Sequence, residues 1–113
     1  MKIITESETL NEIKAMAVAT FGNLVKAVVD VKRELIAVDA ELHSDLEALL
    51  LNDGSKQKSL WGINLYTEIQ GDDFIEFDSM INMRPSQGNR SRGVENEEMR
   101  KKIIEIVAKR IKR

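Results

Sequence analysis

The sequence predicts an α+β fold: an antiparallel four-stranded sheet made of two hairpins, packed by an N-terminal, a short central and a C-terminal helix. Three observations predict it. Apolar residues alternate with polar ones, the period of a half-buried strand, over 24–31, 60–67 and 74–83. Over 10–21 and 99–111 they recur instead at three- and four-residue steps, which draws one apolar stripe along a helix. The resulting order, helix, hairpin, short helix, hairpin, helix, places the helices mainly on one face of the sheet.

Thr9-Leu10-Asn11-Glu12 fits a capping box, in which the Thr hydroxyl and Glu carboxylate satisfy amides that the first helical turn leaves free. A helix is expected from Leu10 to Phe21, ended at Gly22, whose lack of a Cβ suits the left-handed C-cap residue. From Leu24 to Val31 the period changes to two, with Val25, Ala27, Val29 and Val31 on one face and Lys26 and Asp30 on the other. The charged run Lys32-Arg33-Glu34 interrupts it, and Leu35-Ile36-Ala37-Val38 resumes as the second strand of a hairpin. Ser44-Asp45-Leu46-Glu47 reads as a second capping box, opening a helix of about two turns that Asn52-Asp53-Gly54-Ser55 stops. That helix is apolar nearly all round, so it is expected to be pressed between the sheet and another element. Leu60 to Thr67 and Phe74 to Met83 form the second hairpin, with Trp61, Ile63 and Leu65 facing Ile75, Phe77, Ile81 and Met83 on the apolar side. Trp61 is therefore read as core. Pro85 ends the fourth strand, a polar loop follows, and the last helix begins after Asn96. The closing Lys109, Arg110, Lys112 and Arg113 complement the negative end of its dipole.

The chain has 113 residues, 42% of them apolar and 32% charged, enough for one core and one domain spanning 1–113. It has no Cys, which excludes disulfides and thiolate metal sites. The start, Met1-Lys2-Ile3-Ile4-Thr5-Glu6, does not read as a signal peptide, and no apolar run approaches the roughly 20 residues that span a bilayer. A cytoplasmic location without membrane association is expected. Seventeen basic against nineteen acidic residues give a net charge of −2, so nothing global attracts nucleic acid.

Four segments carry a resemblance: Glu41-Leu42-His43, Asp53-Gly54-Ser55-Lys56-Gln57, Leu60-Trp61-Gly62-Ile63-Asn64, and Met80-Ile81-Asn82-Met83-Arg84-Pro85-Ser86-Gln87-Gly88-Asn89-Arg90-Ser91. On these the chain resembles, nearly end to end, a family of short, mainly prokaryotic proteins catalogued as domain of unknown function 5674. The resemblance implies no activity, substrate, cofactor or catalytic residue.

Two constellations carry chemistry. The first is the loop holding Arg84, Gln87, Asn89, Arg90, Ser91 and Arg92, with Gly88 and Gly93, just before a helix start. Guanidinium forks and free amides match phosphate or carboxylate oxygens, while ordinary ion pairing with Glu95 or Glu97 is the structural alternative. The second is His43, the only histidine, with Glu76 and Asp78 at positions i and i+2 of a strand, where they present paired carboxylates to a divalent metal. A solvated strand face explains the same acids.

The function expected is a non-enzymatic binding module in which the Arg loop captures an anionic small molecule or an anionic group of a protein partner. The alternative is a divalent-metal-dependent hydrolase of a phosphorylated substrate or nucleic acid, using Glu76, Asp78 and His43. Nucleic-acid binding rests on the Arg loop alone. Phe74, Met80 and Tyr66 would share the otherwise polar sheet face, a candidate homodimer contact.

Overall fold

The computed structural model describes residues 1–113. Its elements, in chain order, are strands β1 (Lys2–Ile4) and β2 (Glu8–Thr9), helix α1 (Leu10–Ala19), strands β3 (Leu24–Asp30) and β4 (Leu35–Val38), and helix α2 (His43–Asn52). Strands β5 (Leu60–Tyr66) and β6 (Ile75–Glu76), helix α3 (Glu97–Arg110) and strand β7 (Ile111–Lys112) complete it. The fold is α+β, with an antiparallel sheet of five strands in the order β1-β4-β3-β5-β6.

The fifth strand is β1, which lies antiparallel to β4 with Ile3 opposite Ala37. Three residues are too few to display a period of two, so its pairing is dictated by β4 and not by its own pattern. Both expected hairpins form. The turn between β3 and β4 has no Asn-Gly pair; instead one oxygen of the Asp30 carboxylate accepts the amides of Lys32 and Arg33, each at 2.9 Å, and Glu34 takes the left-handed conformation with φ 58°. A short carboxylate that folds back on the next amides is the Asx solution to such a turn.

The fourth strand is much shorter than the run 74–83 suggested. Only Ile75–Glu76 pair with β5, and Met80–Asn82 form a 3₁₀ turn. Fully buried Asn82 explains why: its side-chain amide donates to the Gly62 carbonyl at 2.9 Å and its carbonyl accepts from the Gly62 amide at 2.8 Å. One side chain thus replaces the backbone pairing that a continuing strand would supply, so the chain can leave the sheet edge without orphaning β5. Phe77 then packs against the main core, Ile81 against the opposite face, and Met83 lies exposed.

The period of two in β3 and β5 sorts the sheet into two faces. Val25, Ala27, Val29, Trp61, Ile63 and Leu65 join Ile13 and Ala17 of α1 and Ile103, Ile106 and Val107 of α3 in one core of 17 buried residues. Trp61 is buried, as its phase predicts. On the other face, Val28, Ala37 and Leu60 meet Leu46 and Leu50 of α2, all fully buried. Each such leucine contributes roughly 1.5–3 kcal/mol by leaving water. The helices therefore lie two on one face and one on the other, and α2 has nothing outside it: Leu51 is exposed. Phe74 is buried in the larger core, so it does not share an exposed patch with Met80.

Helix α1 has the Thr9–Glu12 capping box read from the sequence, with Gly22 at φ 91° just past its end. Helix α3 ends at Arg110, and Ile111 turns into β7, which pairs in parallel with β2. Arg110 donates to the backbone carbonyls of Glu34 and Glu6, while Lys102 and Lys109 meet the Glu34 carboxylate at 3.1 Å each. The basic end of α3 is a clasp on the β3–β4 turn as well as a dipole complement.

Candidate functional site

The expected second capping box does not form. Helix α2 begins one residue before Ser44, with Leu42 at the N-cap and no side-chain hydrogen bond to the first amides. The cause is His43. Its Nε2 lies 2.7 Å from the Ile63 carbonyl, to which it donates, and this bond draws the first helical turn down onto β5. His43 is 8% exposed, and its second nitrogen, Nδ1, has no hydrogen-bond partner in the protein. Burial pushes its pKa below the ordinary value; the bond to Ile63 opposes this, Lys26 and Arg92 add to the lowering, and Asp78 opposes it.

The loop 84–95 spends most of its polar groups on itself. Arg84 turns inward, donating to the carbonyls of Gln57 at 2.7 Å and Leu60, with its guanidinium 4.2 Å over the Trp61 ring. Arg84 and Asn89 form a two-way backbone bridge, closed by Gly88 in the left-handed region with φ 83°. Buried Asn89 donates to the carbonyls of Asn82 and Gly93 and accepts from the Glu95 amide. The amides of Arg90 and Ser91 do bind an anion, the carboxylate of Glu95, at 2.6 and 2.7 Å, which holds that carboxyl below its usual range. Gln87 is exposed and Arg90 makes no ion pair. Arg92 bonds Asp78 Oδ1 through Nε at 2.7 Å and leaves both terminal nitrogens without partners.

Glu76, Asp78 and His43 do not assemble into a ligand set, and no three His, Asp or Glu side chains are placed to hold a metal ion. Each is otherwise engaged: Glu76 accepts from Asn64 and Tyr66, Asp78 from Arg92, and His43 is tied to Ile63. What does converge is one residue from each constellation. Arg92 and His43, with Lys26 of β3, Ser44, Ser79, Leu42, Met80 and Ile81, line a recess of about 300 Å³ where α2 begins and the sheet face continues. Lys26 forms no ion pair; its Nζ lies 5.4 Å from the Phe21 ring. The sequence placed Lys26 on the face opposite Val25, Ala27 and Val29, where it lies, but gave no reason to join it to His43. Ser44 and Ser79 were missed, the first because it was assigned to a cap.

Three other hollows are less suited. The largest, about 390 Å³, lies between α1 and the turn 67–71; Lys14 there is offset by Glu68 at 3.8 Å, and the Arg113 guanidinium stacks 4.3 Å from the Phe74 ring. One of about 350 Å³ on the far side of the Arg loop, against Trp61 and Met99, has no basic side chain in its wall. A shallow one of about 120 Å³ surrounds Asp30.

The model of a family described as "Protein of unknown function (DUF5674)" matches residues 2–110. No curated protein and no solved structure matches the chain.

Proposed function

Because the chain belongs to the DUF5674 family, whose description carries no activity, its function is read from geometry alone, and we propose that it is a non-enzymatic binding module. It holds an anionic group of a small molecule or partner in the recess between the start of α2 and Arg92. The observation that carries this is the convergence of two cations, Arg92 and Lys26, on one hollow at the start of α2, with His43 buried in its wall and fixed through Nε2 to the Ile63 carbonyl. Three further features agree. Helix α2 brings the positive end of its dipole and first-turn amides that no side chain caps. Arg92 has two terminal nitrogens free for a fork of hydrogen bonds. Lys26 adds a charge that no carboxylate neutralises.

The Arg loop enters as a support. It delivers Arg92 to the recess, while Arg84, Asn89 and Glu95 hold the loop in shape. The metal-dependent hydrolase is not proposed, since its three residues serve separate hydrogen bonds.

Isothermal titration of the chain with acetate and with phosphate tests anion capture. At least one should bind at pH 7, and Arg92→Ala and Lys26→Ala should each weaken it about tenfold, the scale of one charge-assisted hydrogen bond. Both side chains are surface groups, so the variants should stay folded, which circular dichroism checks. Undiminished binding in both variants, or no binding of acetate, phosphate or a larger carboxylate, would overturn the assignment.

A further inference from the structure

We infer that the anion is a singly charged carboxylate joined to a short apolar group, the chemistry shared by a free branched carboxylic acid and by a peptide C-terminus ending in an apolar residue. This rests on the anion-binding assignment above and narrows it. Charge is the first ground. Of the two cations in the wall, Arg92 is already paired with Asp78, so Lys26 leaves one net positive charge beside a His43 that burial holds toward its neutral form. One negative charge balances it, whereas a phosphate dianion would bring a second close to Asp78.

Shape is the second. The two terminal nitrogens of Arg92 form a planar fork that matches the two oxygens of a carboxylate. The third ground is the rim. Leu42 is 57% exposed and Met80 64% exposed, and both border this recess, with Ile81 behind them. A polar floor under an apolar rim is the composition of a small-ligand pocket, and about 300 Å³ stands at the low end of the roughly 300–1,000 Å³ such pockets span. A carboxylate with a branched group of a few carbons suits that size better than a long acyl chain. Each methylene buried against the rim tightens binding about fourfold.

The test is a titration series on the full chain at pH 7 with acetate, 4-methylpentanoate and phosphate, followed by N-acetyl-leucine and a short peptide ending in leucine. We expect 4-methylpentanoate to bind about tenfold or more tightly than acetate, and more tightly than phosphate. Met80→Ser and Leu42→Ala, both at exposed positions, should bring the ratio of the two carboxylate affinities toward one. Tighter binding of the leucine-ending peptide or of N-acetyl-leucine than of the free acid assigns the carboxylate to a peptide end, and the reverse order assigns it to a small acid; either supports the inference. If phosphate binds as well as 4-methylpentanoate, or if acetate does, the apolar carboxylate is wrong while anion capture stands. If none of the five binds, both fail together.

Discussion

Leu42 stands at the N-cap of α2, a position where Ser, Thr, Asp or Asn would accept a hydrogen bond from the first-turn amides. Leu42→Ser should therefore raise stability by about 1 kcal/mol, read as a higher urea midpoint with unchanged slope. The same change should weaken anion binding, because the new hydroxyl competes for those amides. His43 makes binding and stability depend on pH with opposite signs. Its folded pKa lies below the ordinary 6.5, so the unfolded chain takes up its proton more readily. Stability from neutral His43 is then complete above that value and is lost as pH falls through it. A bound anion favours the protonated ring, so affinity should rise over the same fall in pH, from about 7.5 to 5. The charged groups facing the ring are Lys26 and Arg92 against Asp78. Titrations and urea curves at both pH values check the two signs together. Arg84 behaves differently, because its partners are carbonyls: Arg84→Ala should cost about 2 kcal/mol by leaving those of Gln57 and Leu60 without their donor. A thermal shift with acetate should be retained in that variant.

At the scale of elements, the junction of β5 with the turn 79–82 sets the shape of the recess. Gly62 faces Ser79 so closely that a Cβ there would lie 2.5 Å from the Ser79 Cβ. Gly62→Ala should therefore push Ser79, Met80 and Ile81 off the sheet, costing about 1–3 kcal/mol and abolishing anion binding. Adding Ser79→Gly should recover part of the stability, the coupling expected of residues in contact. This junction is also where the sequence was least legible. Alternation of apolar and polar residues continues through Met83, yet the strand stops at Glu76, because Asn82 offers β5 a hydrogen-bonding equivalent of backbone that no hydrophobic pattern records. The start of α2 was misplaced for a related reason. Ser44-Asp45-Leu46-Glu47 has the composition of a capping box, but a bond from His43 to β5, twenty residues away, decides where the helix begins. Thr9-Leu10-Asn11-Glu12 faces no such competitor, and its box forms as read.

At the scale of the molecule, the central hairpins and the three helices were legible because burial imposes its period on the long elements. Which face each helix covers was not, since α2 shows apolar residues on every side and its partner face is chosen by Val28, Ala37 and Leu60 across the sheet. The site followed the same rule: Arg92 and His43 were each singled out, but their meeting depends on the carbonyl of Arg92 accepting bonds from the Ser79 amide and the Asn82 side chain. Two cores sharing one sheet should unfold together. Urea denaturation followed by the emission of Trp61, the sole tryptophan, and by far-ultraviolet circular dichroism should give superimposable curves. Separate transitions would mean that α2 detaches from its face before the larger core opens.

The parallel pairing of β2 with β7 bears on how the chain is made. Glu8 is opposite Ile111, so one half of the smaller sheet is translated roughly 5–20 seconds after the other at ordinary ribosomal speeds. The inner strands β4, β3 and β5 all lie between residues 24 and 66 and can meet while synthesis continues. Throughout that interval the start of α1 has no β7 beside it, and the apolar faces of Val25, Ile63 and Leu65 await α3. A nascent chain stalled before Ile103 would therefore display the larger core uncovered, and it is there, not in the finished fold, that a chaperone would find its binding surface.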